Sequence, residues 1–163
     1  MTDIKSWRVI IPLFFCVFFS MESNVMPGKI DVKDEVIRIF IREKIAAYSL
    51  SLKGAGYRPG GEDREYGFDC SGFTQHVYSA FGIKLPRTVY AQYNSAIRYG
   101  INKIKKGDIV FFNTKGYGPS HTGIYLGNGK FIHAPGIGKK VSIGSLSDKY
   151  WARVFMCGGN FLR

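Results

Sequence analysis

The hydrophobic pattern of this chain changes near residue 107, and that change limits the fold more than any other feature of the sequence. Before it, apolar residues at helical spacing predict three helices, over 31–53, over 70–81 and within 86–100. After it, short segments rich in β-branched and aromatic residues predict strands over 108–114, 121–126, 130–134, 140–145 and 152–156. Helices followed by strands joined through short turns predict an α+β domain with an antiparallel sheet of about five to six strands.

The first 20 residues have the pattern of a secretory signal peptide. Lys5 and Arg8 precede an apolar run over 9–19, which is about half of the roughly 20 residues that a membrane-spanning helix needs. The alternative is that this run forms a buried strand or a short helix of the domain. We expect export to the periplasm, the cell envelope or the medium, because basic residues, a short apolar core and small polar residues occur in that order.

This interpretation sets the domain boundaries. We expect a signal peptide over 1–20 with cleavage within 20–24, a linker over 21–30 and a single domain over 31–163. Lipid attachment through Cys16 is the less favoured alternative, because Phe14 and Phe15 stand where small residues are needed.

The charge balance is strongly basic. Lys and Arg total 23 against 12 Asp and Glu, which gives a formal net charge of +11. Such a charge favours contact with polyanions, and for an exported protein an anionic cell-wall polymer is the expected partner. Nucleic acid is not expected, since no dense run of basic residues with interleaved aromatics occurs. The alternative is that the charge only keeps the protein soluble.

Cys70 follows a glycine-rich loop and stands where the second helix is predicted to begin. A thiol at a helix N-terminus lies at the positive end of the helix dipole, which is expected to lower its pKa and favour the nucleophilic thiolate. The small residues Ser71 and Gly72 would leave room for a substrate carbonyl. The alternative is a buried, inert cysteine.

Two histidines supply a candidate base and a group to orient it. His121 and His133 lie on predicted neighbouring strands joined by the Gly127-Asn128-Gly129 turn. A two-residue turn would put the two histidines on opposite faces of the sheet. A three-residue loop, with Gly129 in the left-handed region, would put them on the same face. A catalytic pair therefore requires a bulged turn, which shifts the register, and the sequence permits one.

The other histidine and the other cysteine of the predicted domain are weaker candidates for catalytic residues. His76 lies six residues after Cys70 on the same predicted helix and should face away from the thiol, so we expect a structural role. Cys157 has no nearby histidine, and a disulfide between it and Cys70 is a minor alternative. A zinc site is weakly supported, because the cysteines and histidines lack the close spacing of zinc ligands.

Five segments together resemble the NlpC-type cell-wall peptidases, which are papain-like cysteine enzymes of bacteria. In chain order they are Asp69-Cys70-Ser71-Gly72-Phe73, Leu85-Pro86-Arg87-Thr88 with Gln92, Gly107-Asp108-Ile109-Val110-Phe111-Phe112, His121-Thr122-Gly123-Ile124-Tyr125-Leu126-Gly127 and Phe131-Ile132-His133-Ala134. The resemblance extends from about residue 45 to the C-terminus. It implies a papain-like α+β fold with the nucleophile at a helix N-terminus packed on the antiparallel sheet.

The resemblance also implies roles for individual residues. Cys70 would be the nucleophile, His121 the general base and His133 the orienting residue. Tyr57 would help to hold the oxyanion, and Asp69 and Ser71 are expected at the oxyanion and substrate site.

The expected substrate is the peptidoglycan stem peptide, cut between D-glutamate and the diamino acid that follows it. We expect no cofactor, no metal and a monomer. Two alternatives remain open: an amidase or acyltransferase acting on another amide or a lipid, and a wall-binding module with an idle triad.

Overall fold

The computed structural model describes residues 32–162, which form helices and strands in an order close to the predicted one. The helices are α1 Val32–Ser51, α2 Cys70–Ser79, α3 Val89–Ser95 and α4 Lys149–Val154, with a short 3-10 helix at Ile101–Lys103. The strands are β1 Glu62–Asp63, β2 Gly67–Phe68, β3 Ile97–Tyr99, β4 Ile109–Phe112, β5 His121–Gly127, β6 Lys130–His133, β7 Ser142–Ser145 and β8 Phe155–Asn160. The predicted signal peptide and linker lie outside the described residues.

Six of the strands form one antiparallel sheet. Their order across the sheet is β3-β8-β4-β5-β6-β7, so the four strands β4 to β7, which follow one another in the chain, are also neighbours in space. Strands β1 and β2 pair separately as a small hairpin in front of α2. The prediction of an α+β fold with an antiparallel sheet is confirmed.

Both faces of the central sheet are covered, and strand β4 shows this most clearly. Its four residues are fully buried, and alternate side chains enter different clusters. Ile109 and Phe111 pack with α2 on one face, whereas Val110 and Phe112 pack with Trp151 of α4 on the other. A strand buried on both faces loses the alternation of polar and apolar residues, which is why this segment reads as a continuous apolar run.

Helix α1 packs through its second half. Ile45 and Ala46 are buried, whereas Val32, Val36 and Phe40 in its first half have 74%, 59% and 60% of their surface exposed. Among residues 32–162, none of the helices combines the length and the apolar character that crossing a membrane requires.

The end of the chain differs from the prediction. A strand was expected over 152–156, but Lys149–Val154 is the helix α4 and the strand β8 begins only at Phe155. Asp148 starts the helix, because its side chain accepts a hydrogen bond from the Tyr150 N–H at 3.2 Å. The aromatic and β-branched residues of this segment favoured a strand, and the cap outweighs that preference.

A buried ion pair joins α1 to the start of β4. The Arg42 guanidinium donates to Asp108, whose side chain has 1% of its surface exposed. The other Asp108 oxygen accepts from the Lys105 N–H at 2.8 Å and from the Tyr99 hydroxyl. Arg42 also donates to Asn160 Oδ1 at 3.1 Å, so the pair connects α1, β4 and β8.

We expect Asp108→Ala to lower the free energy of unfolding by about 3–5 kcal/mol, because it leaves the Arg42 charge buried without its partner. Urea unfolding monitored by circular dichroism would measure this. The matched control is Glu43→Ala, which breaks an exposed ion pair to Lys106 of 2.9 Å and should cost at most about 1 kcal/mol. Equal losses in the two variants would contradict the structural importance of the buried pair.

Candidate active site

Cys70 is the first residue of α2, and backbone contacts fix the start of that helix. Asp69 caps the helix, because its Oδ1 accepts a hydrogen bond from the Gly72 N–H at 2.7 Å. A Cβ atom at Gly72 would lie 2.1 Å from the Gly61 carbonyl oxygen, so only glycine fits there. The expectation that Gly72 leaves room for a substrate is wrong, since the preceding loop fills that space.

Arg87 holds the residues on either side of Cys70, and it was not among the predicted site residues. Its guanidinium donates to the two Asp69 oxygens at 3.0 and 2.6 Å and to Ser71 Oγ at 3.0 Å. Burial acts to raise the pKa of Asp69, but hydrogen bonds from Arg87 and Gly72 outweigh it and keep that pKa below its ordinary value.

Asp69 and Ser71 are therefore engaged within the protein. Ser71 Oγ donates to Asp69 Oδ1 at 3.2 Å in addition to its bond with Arg87. We expected both residues at the substrate. Their polar atoms instead position the start of α2, and any contact with substrate would compete with these bonds.

Gln92 adds a second connection between α3 and the start of α2. Its side chain is fully buried, and Nε2 donates to the carbonyl oxygens of Ser71 at 3.0 Å and Pro86 at 2.9 Å. Its Oε1 accepts from the Thr74 hydroxyl at 2.8 Å. The segment over 85–92 thus supports the helix that begins with Cys70.

Strands β5 and β6 bring the two histidines to the same face of the sheet. Ile124 pairs with Ile132, which is the register that the shared face requires. The predicted three-residue loop is wrong, because the strands close around a two-residue turn. A bulge between Tyr125 and Gly127 produces the same shift in register.

The two histidines are in direct contact and are buried. His121 Nε2 lies 2.7 Å from His133 Nδ1, and the ring planes are nearly perpendicular at 86°. Gly123 permits this approach, since a Cβ there would lie 3.1 Å from the His133 Cβ. Trp151 stacks on His121 at 5.5 Å between ring centroids and contacts His133 edge to face at 4.8 Å.

The Cys70 thiol lies against the start of β5. The backbone N–H groups of Thr122 and Ser71 are close enough to act on its pKa, and Thr122 directly follows His121. Tyr57 is also close enough to the thiol for the two groups to interact electrostatically. Burial, with additions from Cys70 and Asp69, raises the pKa of its hydroxyl, which therefore stays protonated and able to donate a hydrogen bond.

Comparison of the sequence with models of known protein families identifies the family of this chain. The model of the NlpC/P60 family matches residues 54–160, a range that covers more than half of the chain and includes Cys70, His121 and His133. The chain belongs to the NlpC/P60 family.

Several curated relatives from bacteria are similar to this NlpC/P60 chain. It is 42% identical to the murein DD-endopeptidase MepH of Escherichia coli over 118 residues, which cover 69% of this chain and 44% of the relative. It is 43% identical to a probable endopeptidase NlpC homolog of Haemophilus influenzae, over 63% of this chain and 53% of the relative. The chain thus spans about half the length of these two relatives.

Solved NlpC/P60 structures share the fold. An NlpC/P60 family protein from Bacillus cereus superposes with a TM-score of 0.70 at 28% identity, over 75% of this chain and 40% of that one. The NlpC/P60 domain of the peptidoglycan hydrolase SagA gives a TM-score of 0.64 at 32% identity, over 73% of this chain and 97% of that one.

Burial favours the uncharged forms of the Cys70 thiol and of the two imidazoles, His121 and His133, at neutral pH. Burial raises the pKa of Cys70 to about 11, with a further contribution from the Asp69 charge, and the N–H groups of Thr122 and Ser71 oppose it only in part. The expectation of a lowered thiol pKa is therefore wrong. Burial also lowers the pKa of His121 to about 4 and that of His133 to about 3.

This electrostatic state has a consequence for alkylation of the thiol. Because the thiolate reacts and its pKa is about 11, the rate at which iodoacetamide labels Cys70 should rise with pH from 6 to 10 without levelling off. Mass spectrometry of the peptide that contains Cys70 gives this rate at each pH. A plateau below pH 8 would contradict the neutral resting state and indicate a thiolate paired with an imidazolium.

The structure assigns His76 a structural role and does not support the disulfide or the zinc site that the sequence left open. His76 contacts the Tyr48 hydroxyl at 3.1 Å and the Glu62 carbonyl oxygen at 3.0 Å, so it ties α1 to β1 as a structural residue. Cys70 and Cys157 are both free thiols, which excludes the alternative of a disulfide between them in this structure. Within residues 32–162, no three metal-ligating side chains cluster closely enough to hold an ion.

Proposed function

We propose that this chain is an exported cysteine peptidase that hydrolyses peptidoglycan stem peptides. The observation that supports this most directly is the position of Cys70, whose thiol lies beside the Thr122 N–H while the adjacent His121 is hydrogen-bonded to His133. Nucleophilic attack on an amide requires a thiol, a base and a group that orients the base, and Cys70, His121 and His133 are the proposed set. The names of the relatives, a murein endopeptidase among them, supply the substrate class.

The reaction begins with a neutral thiol and a neutral imidazole. His121 Nε2 is engaged with His133, so Nδ1 is the nitrogen that takes the thiol proton as sulfur attacks the scissile carbonyl. The imidazolium then gives that proton to the leaving nitrogen, the C–N bond breaks and a thioester remains on Cys70. Water attacks the thioester with the same histidine as base, which releases the acid and restores the thiol.

Charge develops on the carbonyl oxygen during both attacks. The Cys70 backbone N–H and the Tyr57 hydroxyl are the proposed donors to this oxyanion. Tyr57 suits this role because burial keeps its hydroxyl protonated. The Tyr57 backbone is itself fixed, since its N–H donates to the Lys139 carbonyl oxygen at 3.1 Å.

The D-glutamyl–diamino acid bond is the proposed point of cleavage. The relative MepH favours the cross-link between stem peptides as a second candidate, because it is named a murein DD-endopeptidase. Digestion of purified muropeptides followed by mass spectrometry distinguishes the two bonds by the masses of the fragments. Unchanged muropeptides after prolonged digestion would contradict the proposed activity.

We also propose that the net positive charge, +11 for the full sequence and +10 once residues 1–20 with Asp3, Lys5 and Arg8 are removed, attracts the protein to the anionic wall. Binding to intact sacculi should weaken as salt rises from about 0.05 M to about 0.5 M, because the Debye length falls from about 14 Å to about 4 Å. Turnover of a small soluble stem peptide should change much less over the same series. Sacculus binding that stays constant would mean that the charge serves only solubility.

A further inference from the structure

The indole of Trp151 contacts both histidines of the proposed site, and the mechanism above does not use it. It lies nearly parallel to the His121 ring, with 5.5 Å between centroids and 30° between planes, and meets His133 at 4.8 Å and 87°. The register of the sheet explains this position. His121 pairs with Phe112 of β4, and His133 follows Phe131 by two residues on β6, so both imidazoles lie on the face of the sheet that α4 covers.

Two phenylalanine rings hold the indole in place. Phe112 meets Trp151 at 4.8 Å between centroids and 61° between planes, and Phe131 meets it at 5.1 Å and 81°. Both phenylalanines are fully buried. The position of the indole is therefore set by the core of the domain, and the histidines pack against a fixed surface.

This surface matters because one hydrogen bond does not orient a pair of rings. His121 and His133 are joined by a single contact of 2.7 Å, and the torsion that turns an imidazole about its Cβ–Cγ bond has a broad energy minimum. The angle of 86° between the two ring planes thus needs a further constraint. The indole supplies it for both rings, since one packs nearly parallel to it and the other perpendicular to it.

Trp151 also separates His121 from solvent. An open cleft of about 480 Å³ is bordered by β6, β7 and α4, and its wall includes His133 and Trp151 but not His121. His121 and His133 keep only 6% and 3% of their surface exposed. The half-buried indole therefore lies at the boundary between the water in the cleft and the histidine pair.

Several titratable groups surround the pair and the indole. They are Lys130 of β6, Lys139 of the loop over 134–141, Asp148 and Tyr150 of the start of α4, and Cys70 of α2. Lys139 contributes to the low pKa of His133, but burial is the largest cause in both histidines. A substitution of Trp151 leaves all these groups in the chain, so a change in the protonation of the pair would report the loss of its cover.

We propose that Trp151 is a positioning residue, which keeps the two imidazole rings crossed and shields them from water. This rests on the proposed function, because the reaction that it supports is the hydrolysis of the peptide. The shielding itself is a property of the folded chain and is measured without substrate.

NMR of the imidazole protons follows the protonation of each histidine in the wild type and in two variants of Trp151. Trp151→Leu keeps apolar bulk without a flat ring, and Trp151→Phe keeps a smaller ring. Burial holds the pKa of His121 at about 4 and that of His133 at about 3, whereas contact with water favours the imidazolium. His76, which is bonded between α1 and β1, is the internal reference.

We expect the titration of the pair to move up by about one pH unit or more in Trp151→Leu, and by less than half as much in Trp151→Phe. At pH 5 the pair should therefore be largely neutral in the wild type and partly protonated in Trp151→Leu. The signals of His76 should titrate over the same pH range in all three proteins.

Hydrolysis of a muropeptide between pH 5 and pH 8 measures the effect on the reaction. Trp151→Leu should lower kcat by about 10–100-fold with KM within about twofold, because a misoriented base slows the chemical step more than it weakens binding. The acid side of its pH profile should move to higher pH, since the base must be neutral to accept the thiol proton. Trp151→Phe should recover most of the rate.

Tyr150→Leu is the matched control. Tyr150 is the neighbour of Trp151 on α4, with 43% of its surface exposed and 5.0 Å between the two ring centroids. The variant removes an aromatic ring from the same helix and leaves the indole over the histidines. Its rate should stay within about twofold of the wild type, and its histidines should titrate as in the wild type.

Unchanged protonation of the pair in both Trp151 variants would overturn the shielding, and an equal loss of kcat in Tyr150→Leu would assign the loss to the packing of α4 instead. If the wild type cleaves no muropeptide, the peptidase is rejected, and the NMR titration still decides whether Trp151 shields the pair. If Trp151→Leu does not fold, the titration of Trp151→Phe decides, and a titration identical to that of the wild type is the contrary result.

Discussion

Cys70→Ser is expected to reduce the hydrolysis of muropeptides by a factor of about 10³ or more while leaving the fold intact. A serine hydroxyl at this position is a far weaker nucleophile than a thiol, and His121, with a pKa of about 4, is too weak a base to compensate. The side chain keeps its size, so the packing at the start of α2 should not change. Fragment release measured by chromatography gives the rate, and thermal unfolding checks the fold.

Cys157→Ser is the matched control. Cys157 is a free, half-buried thiol on β8, where it pairs with Phe111 of β4. Its loss should leave hydrolysis within about twofold of the wild-type rate, because it lies outside the proposed group of Cys70, His121 and His133. Substantial activity in Cys70→Ser would contradict the assignment of the nucleophile.

The elements around the site follow from local features of the sequence. Helix α2 begins at Cys70 as predicted, because Asp69 is a capping residue and the glycine-rich loop before it cannot extend the helix. Strands β4, β5 and β6 lie where short segments rich in apolar and β-branched residues are separated by turn residues. The need for a shifted register between His121 and His133 was also apparent from the spacing of the two residues.

The parts that sequence reasoning missed depend on long-range packing. Trp151 directly precedes the segment over 152–156 that is predicted as a strand, and only the folded chain shows it stacked on His121. Arg87 reaches Asp69 from 18 residues away, so local pattern alone gives no reason to pair them. The thiol pKa was predicted from the helix dipole alone, whereas burial of Cys70 in the folded protein is the larger effect.

The two histidines of the site should differ in how much activity they contribute. His121→Ala is expected to reduce hydrolysis by a factor of about 10²–10⁴, because the thiol loses the base that accepts its proton. His133→Ala should cost less, since it removes only the partner 2.7 Å from His121 Nε2. His133→Gln should recover part of that loss, because the Gln carbonyl oxygen can accept a hydrogen bond from His121.

His76→Ala separates a catalytic loss from a structural one. Since His76 bonds to Tyr48 and to the Glu62 backbone, we expect its loss to lower the free energy of unfolding by about 1–2 kcal/mol with hydrolysis at 25 °C nearly unchanged. Rates and unfolding curves measured on the same preparations test all four variants. If His133→Gln were as inactive as His121→Ala, the role of His133 could not be only to orient His121 by accepting its hydrogen bond. In that case its ability to take up a proton or its edge-to-face contact with Trp151 would have to be essential, since those are the properties that Gln cannot replace.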